Sequence, residues 1–370
     1  MPLGLAPTTD VSTSGVRRLV ELAAGQRRFF VLLGLGFLIA AFAYRNPVAG
    51  AWVGFLFAGY AAVANDSIQT IGTFIASNRG KPWWMLWLFI GGIFVVTVAY
   101  SWIVYDGDVS HQRLAAKGFE QSPTSFSYLQ VAAPLFLLLL TRLRMPVSTT
   151  FLLLTSFATE ASSVAAVMSK SLTGYALAFG IAIAVWMALS RFMQRWQRTP
   201  AHPGWRVAQW GTTGVLWSVW LMQDAANIAV YLPRQLSLAY FLGFAGAIFL
   251  GLGLLFRMGG ERVQEVVDEK SDVVDVRAAT LIDLVYAFIL FYFKVVSAVP
   301  MSTTWVFLGL LAGREVAMSL RGTSNRGIRY AARLMAKDVF FAGIGLLVSL
   351  LLAIAVNEPL RAAAASALGL

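Results

Sequence analysis

Two copies of one hydroxyl-rich phrase, Pro146-Val147-Ser148-Thr149-Thr150 and Pro300-Met301-Ser302-Thr303-Thr304, hold the densest polar chemistry in a mostly apolar chain. Each follows an aspartate set in apolar sequence: Ser148 lies 82 residues after Asp66, and Ser302 lies 78 after Asp224. A proline, then Ser-Thr-Thr, then an apolar run reads as a helix start, where hydroxyls cap and the first turn leaves N–H groups free. Such donors, with the positive end of the helix dipole behind them, suit an oxyanion. The aspartate segments bring carboxylate, amide and carbonyl oxygens, which suit a small hard cation, and Gly72 permits a local helix break. Taken singly, each phrase need only start a helix and each aspartate need only meet water at a span end. Two matched copies favour a site, because a carboxylate inside a span is costly and usually serves an ion or substrate path.

Composition sets the frame for these residues. Hydrophobic residues make up 58% of the 370 and charged residues 13%, against about 45–50% and about 25% in soluble domains. The chain therefore reads as an all-α polytopic membrane protein. There is no cysteine, which excludes disulfides and thiolate chemistry. The two histidines, His111 and His202, fall in polar segments and read as solvent-facing loop residues, not as zinc ligands. The net charge of +11 is spread between hydrophobic runs without a compact patch, so nucleic acid is not a partner and membrane lipid is.

About eleven spans are expected, near 29–44, 48–72, 83–105, 128–143, 151–169, 173–190, 205–224, 238–256, 278–298, 305–320 and 338–356. Basic residues concentrate in alternate connections. With the N-terminus cytoplasmic, the outer connections hold only Arg45, Arg113, Lys117, Lys170, Arg234 and Arg361, so the expectation is N-terminus inside and C-terminus outside. Residues 1–28 form a polar, basic cytoplasmic start and 29–47 an extra N-terminal span. The halves 48–190 and 207–356 hold five spans each, joined by the basic linker 191–206 and followed by a tail, 357–370. An odd number per half turns the second half over, giving inverted-topology repeats.

Several features have plainer readings. Arg27-Arg28 before an apolar run and Ala41-Phe42-Ala43 imitate a cleaved signal, but the long leader and the charge pattern favour a retained span. The charged run Glu261–Lys270 in the connection 257–277 reads as a solvated helix. Lys294 is expected to snorkel to the outer interface, with attraction of an anion as the alternative, and Asp283 to meet cytoplasmic water. Glu160 is placed inside a span with no matching acid in the second half.

The segment Asn65-Asp66 with Gly72-Thr73, the two Pro-x-Ser-Thr-Thr phrases and Gly260-Glu261-Arg262-Val263 together resemble the inorganic phosphate transporter (PiT) family over about residues 48–356. The resemblance implies two inverted repeats with phosphate at the Ser-Thr-Thr tips and sodium or protons coupled through the Asn-Asp segments. Carried over by position, Ser148, Thr149, Thr150, Ser302, Thr303, Thr304 and Asn227 contact the anion. Asn65, Asp66, Thr73, Asp224 and Asn227 serve the cation, with sodium at Asp66 and Asp224. The chain departs from the family where Gln69 and Gln223 replace asparagines and Phe151 and Trp305 replace histidines; Gln130 and Asp283 stand where some members have glutamate.

The leading expectation is a secondary transporter of a small inorganic oxyanion, phosphate first, driven by a sodium or proton gradient through alternating access in a bacterial inner membrane. No other cofactor is implied, and a homodimer is compatible. The alternatives are a sulfate or related anion transporter and an ion-binding membrane regulator without transport. A serine hydrolase is disfavoured because no span carries a histidine to act as base.

Overall fold

In hydrocarbon an unpaired backbone group costs several kcal/mol, so an apolar chain satisfies its peptide groups within helices. The computed structural model describes residues 27–78, 80–143, 145, 147–196, 199–270, 275–322 and 327–368, and among them there is no strand. The helices are α1 (Arg27–Ala43), α2 (Pro47–Thr70), α3 (Gly72–Ser77), α4 (Trp83–Val104), α5 (Tyr128–Arg142), α6 (Thr149–Leu152) and α7 (Ala161–Trp196). They continue with α8 (Gly204–Ala229), α9 (Leu238–Lys270), α10 (Val276–Val296), α11 (Thr303–Leu320), α12 (Ile328–Val356) and α13 (Glu358–Leu368). Expectations for residues 1–26, Arg79, Arg144 and Pro146, and for the side chains of Gln69 and of Gly260-Glu261-Arg262-Val263, lie outside what is described.

Among the described residues six helices are long and apolar enough to cross a membrane, with stretches Pro47–Asp66, Trp83–Val104, Ala161–Ser190, Leu238–Arg257, Val276–Val296 and Met335–Val356. Their outward faces carry Val96, Ile103, Leu250 and Phe288, all exposed. Apolar surface of that kind is stable against lipid and not against water.

Local chemistry sets the helix ends. Asn46 Oδ1 accepts from the backbone N–H groups of Val48 and Ala49, both at 3.0 Å, with Pro47 at the first helical position of α2. Ser127 and Gln130 close a reciprocal capping box on α5. Ser148 and Ser302 accept from the N–H groups of Phe151 and Trp305, at 3.2 and 3.3 Å. Both phrases therefore start helices as their residues require, but unequally. The second opens the 18-residue α11, whereas the first opens a single turn, α6, followed by a 3-10 turn at Leu154–Phe157.

Two of the expected spans, 151–169 and 173–190, are corrected here. Their place is taken by that short turn and by one continuous helix of 36 residues, α7. The polar group at 170–173 does not break the helix because its side chains are satisfied sideways. The hydroxyls of Ser171 and Thr173 donate to Val167 O and Ser169 O one turn back, and Lys170 reaches across to Ser297 O. Residues 358–368, expected as tail, form α13. The charged run after Arg257 continues α9 as a helix through Lys270.

α5 with α6, and α10 with α11, form hairpins that approach from opposite ends of the bundle. In the first, Gln130 Nε2 donates to Ser156 O at 3.1 Å, and Asn357 Nδ2 donates to Thr155 O at 3.0 Å. Its open end therefore lies beside the end of α12. In the second, Arg277 at the start of α10 donates to Thr199 O at 3.0 Å, beside the linker. α11 runs alongside α7 in the same direction, Gly309 against Tyr175 and Gly313 against Phe179, and so returns to the linker end. The hairpin tips meet within the bundle: Thr150 Oγ1 donates to Met301 O at 3.1 Å, and Thr304 Oγ1 donates to Val147 O at 3.4 Å.

The α7–α11 contact depends on missing side chains. A Cβ on Gly309 would sit 2.3 Å from Tyr175 O, and one on Gly313 would sit 2.3 Å from Phe179 O. Only glycine lets the two backbones approach so closely. Gly309→Ala and Gly313→Ala should each cost about 1–3 kcal/mol by overpacking and lower the thermal midpoint of the purified protein. Gly343→Ala, which would meet nothing within 4 Å, is the control; equal midpoints for all three variants would count against this packing.

Candidate functional site

The interlocked tips stand beside α2 and α8, and the expected polar residues converge there. Asn65, Asp66, Ser148, Thr149, Thr150, Asp224, Asn227, Ser302, Thr303 and Thr304 are all buried. On α2, Asn65 Nδ2 donates to Asp66 Oδ1 at 2.7 Å and to Val147 O at 3.0 Å, while Thr141 Oγ1 donates to Asn65 Oδ1 at 3.0 Å. On α8, Asn227 Nδ2 donates to Asp224 Oδ1, to Thr149 Oγ1 at 3.1 Å and to Thr150 Oγ1 at 3.2 Å. Each asparagine thus ties the carboxylate on its own helix to the first phrase. Thr303 joins through Trp220, whose Nε1 donates to its hydroxyl at 3.3 Å. Ser302, one residue before Thr303, is buried beside the group but bonds elsewhere: its N–H donates to Ser171 Oγ on α7 at 2.8 Å and its hydroxyl caps α11.

Hydroxyls, amides and two carboxylates share this volume, and the carboxylates of Asp66 and Asp224 act on one another electrostatically. Two such charges in a buried space are stable together only with a proton or cation between them. The unmet valences point to a cation. Gln223 Oε1 and Asn227 Oδ1 are buried acceptors with no hydrogen bond among the described residues, and Asp224 Oδ2 has only the Thr303 hydroxyl beside it. All three project from neighbouring turns of α8, and Gln223 is held in place because its Nε2 donates to Leu290 O at 2.9 Å. Oxygen ligands of this kind fit a hard cation such as sodium. Among the described residues no three His, Cys, Asp or Glu side chains cluster as metal ligands.

Thr73 is not brought to this group. Beyond the break at Ile71, its hydroxyl donates to Asp283 Oδ1 at 2.9 Å, and Thr213 donates to Asp283 Oδ2. This corrects the expectation of a water-facing Asp283, which is 1% exposed. Two threonine hydroxyls replace water around the carboxylate, one across the α2/α3 break and one from α8. The Glu160 expectation is corrected too: it precedes α7 and pairs with Lys117 at 3.0 Å.

A further polar layer comes from the connection 105–127, where Asp106, Gly107, His111 and Gln112 all adopt positive φ. The resulting tight path turns His111 and Arg113 inward, to 2% and 0% exposure, correcting the solvent-facing reading of His111; His202 is exposed as expected. Arg113 donates from Nε to Met222 O at 3.4 Å and from Nη1 to Ser297 O. Burial pulls its guanidinium down to about 10, which leaves it charged at neutral pH, within electrostatic reach of Asp224. Lys294 does not merely snorkel: its Nζ donates to His111 O at 3.1 Å. Asp106-Gly107 and His111 are residue types that favour positive φ and turns, but that preference does not say which way the side chains after the turn will face.

Burial, with Lys294 adding to it, lowers His111 to about 4. An unfolded chain protonates this ring below about 6.5. Its contribution to stability is therefore full above that pH, falls as the pH drops toward 4 and levels off below, with an upper bound of about 3 kcal/mol. Thermal unfolding between pH 7 and 4 should show the wild type losing stability relative to His111→Asn; parallel curves would contradict the burial.

Comparison with protein families, with characterised proteins and with solved structures gave no match to this chain.

Proposed function

We propose that the protein is a secondary transporter of a small inorganic oxyanion, phosphate first and sulfate next, coupled to a sodium or proton gradient, and a divergent relative of the inorganic phosphate transporters. One observation carries the reading. Hydroxyl donors from both hairpin tips and carboxylate and amide acceptors on α8 are buried in one volume, with acceptors left unpaired. An anion among the hydroxyls would be repelled by Asp66 and Asp224 unless positive charge joined it, so anion and cation favour each other's binding. When bound, sodium would supply that charge through Asp66, Asp224, Gln223 and Asn227; protonation of the carboxylates would serve the same end.

The residues orient and exchange. Thr150 has one hydroxyl proton, which faces Met301 O at 3.1 Å and Asp224 Oδ1 at 3.4 Å. Turning it toward an anion frees the opposite tip. Alternating access follows if the two hairpins part on one side at a time.

An inverted duplication is supported by matched packing. α2 packs on α9 as α8 packs on α4; α5 on α2 as α10 on α8; and α11 on α7 as α6 on α12. In this reading the hairpins enter and leave on opposite faces, and the crossings are α1, α2, α4, α7, α8, α9 and α12. Three crossings per half remain odd, so the halves stay inverted, with N-terminus inside and C-terminus outside in a bacterial inner membrane. Labelled-phosphate counterflow in liposomes tests the function. Exchange of internal for external phosphate is expected; saturable binding without exchange would mean an ion-binding regulator.

A further inference from the structure

Three cationic side chains gather at the second hairpin tip outside the hydroxyl site. Arg113 Nη1 and Lys170 Nζ donate to the same acceptor, Ser297 O, the latter at 3.0 Å, and Lys170 also reaches Val299 O. Lys294 Nζ donates to His111 O, two residues from Arg113. Cations at the carboxyl end of α10 complement its dipole, which accounts for where they lie but not for their charge balance. None of the three forms an ion pair among the described residues. The charged neighbours of Lys170 are Arg113 and Lys294. Asp224 acts on Arg113, and Asp108 acts on Lys294 and His111. The Asp108 carboxylate is already engaged by the N–H groups of Ser110 at 2.6 Å and Gln112 at 2.7 Å. Arg113 is fully buried, yet among the described residues its Nη2 has no hydrogen-bond partner, and neither does Nε2 of the buried His111.

A buried guanidinium donor without an acceptor, beside two half-buried ammonium groups, is an unfilled demand for an anion. The geometry points to a second oxyanion site at this tip, in which Arg113, Lys170 and Lys294 bind a doubly charged tetrahedral anion separately from the Ser-Thr-Thr hydroxyls. The choice of ligand rests on the oxyanion reading of the central site. Because Arg113 acts on Asp224 and its Nε holds Met222 O, the second site adjoins the first through α8. It serves as a staging position that concentrates the anion before the tips part. Recognition here is by fixed positive charge, for which chloride competes, whereas the tips offer neutral hydroxyl donors beside the coupling cation.

Equilibrium binding of labelled inorganic phosphate, competed by sulfate, to the full chain in lipid nanodiscs tests this. Ser148→Ala/Ser302→Ala should retain one site per chain, weakened roughly tenfold or more by raising chloride from low to high concentration. Adding Lys170→Gln/Lys294→Gln should remove that residual binding. Arg113 is buried and straps the tip, and Lys170 also holds tip carbonyls, so the decisive variants are the lysine pair with an unchanged thermal midpoint and Lys294→Gln alone, which leaves both straps in place and should weaken the residual binding. Absence of binding in the hydroxyl variant, or residual binding unaffected by the lysine changes, would overturn the second site. Residual lysine-dependent binding in a protein that fails counterflow would keep this site and defeat only the transport reading.

Discussion

Asp224→Asn is expected to lower phosphate uptake roughly a hundredfold or more at unchanged membrane abundance. The substitution keeps shape and volume, and the new side chain can still accept at Oδ1 from Asn227 and Thr150, so the fold should survive. What disappears is the charge beside the unpaired oxygens of Gln223 and Asn227. Removing one partner of a buried, hydrogen-bonded charge pair at a binding site costs about 2–5 kcal/mol of binding, and the middle of that range is the expected hundredfold. The loss should appear chiefly as lost dependence on the driving cation, because the hydroxyl donors remain. Wild-type uptake with wild-type cation dependence in this variant would remove Asp224 from the site.

The next largest effect belongs to the two threonines that lock the tips together. Valine is nearly isosteric with threonine but cannot donate, so Thr150→Val and Thr304→Val keep the packing and delete the bonds to Met301 O and Val147 O. Val147 O retains its bond from Asn65, but Met301 O loses the donor that crosses between the halves. At about 1–1.5 kcal/mol per hydroxyl, each single variant should raise the KM for the anion roughly tenfold. Because the hydroxyls share one volume, the double variant should depart from the product of the singles. An unchanged KM in the double variant would show that these hydroxyls bind one another and never the anion.

Much of the grouping at the candidate site is legible in the sequence, because its logic is local and repeated. A proline, a capping serine and two threonines must begin helices, and two aspartates in apolar sequence must face something other than lipid. Ten of the residues so marked converge in the fold; Thr73 does not, because the break at Ile71 lets it turn to Asp283. The reading fails where a polar residue is satisfied by a distant partner. Lys170 and Ser171 suggest a gap between two spans, but cross-helix carbonyl and hydroxyl contacts let α7 run through them. Asp283 suggests a span end, but Thr213 and Thr73 replace the water it would need. His111 and Arg113 suggest a wet loop, but the positive-φ turns at Asp106-Gly107 and His111-Gln112 fold that loop inward. Hydropathy also gives equal weight to the apolar runs after the two phrases. Only tertiary packing makes one of them a single turn and the other an 18-residue helix.

The central claim is that paired tips bind an oxyanion whose charge must be offset before it can cross. Initial rates of phosphate uptake into proteoliposomes, with sulfate as competitor and with sodium and proton gradients imposed one at a time, test it most directly. Saturable uptake that rises with one inward gradient and collapses when that gradient is dissipated is the expected result. Uptake indifferent to both gradients, or none from protein that remains folded and inserted, would contradict it.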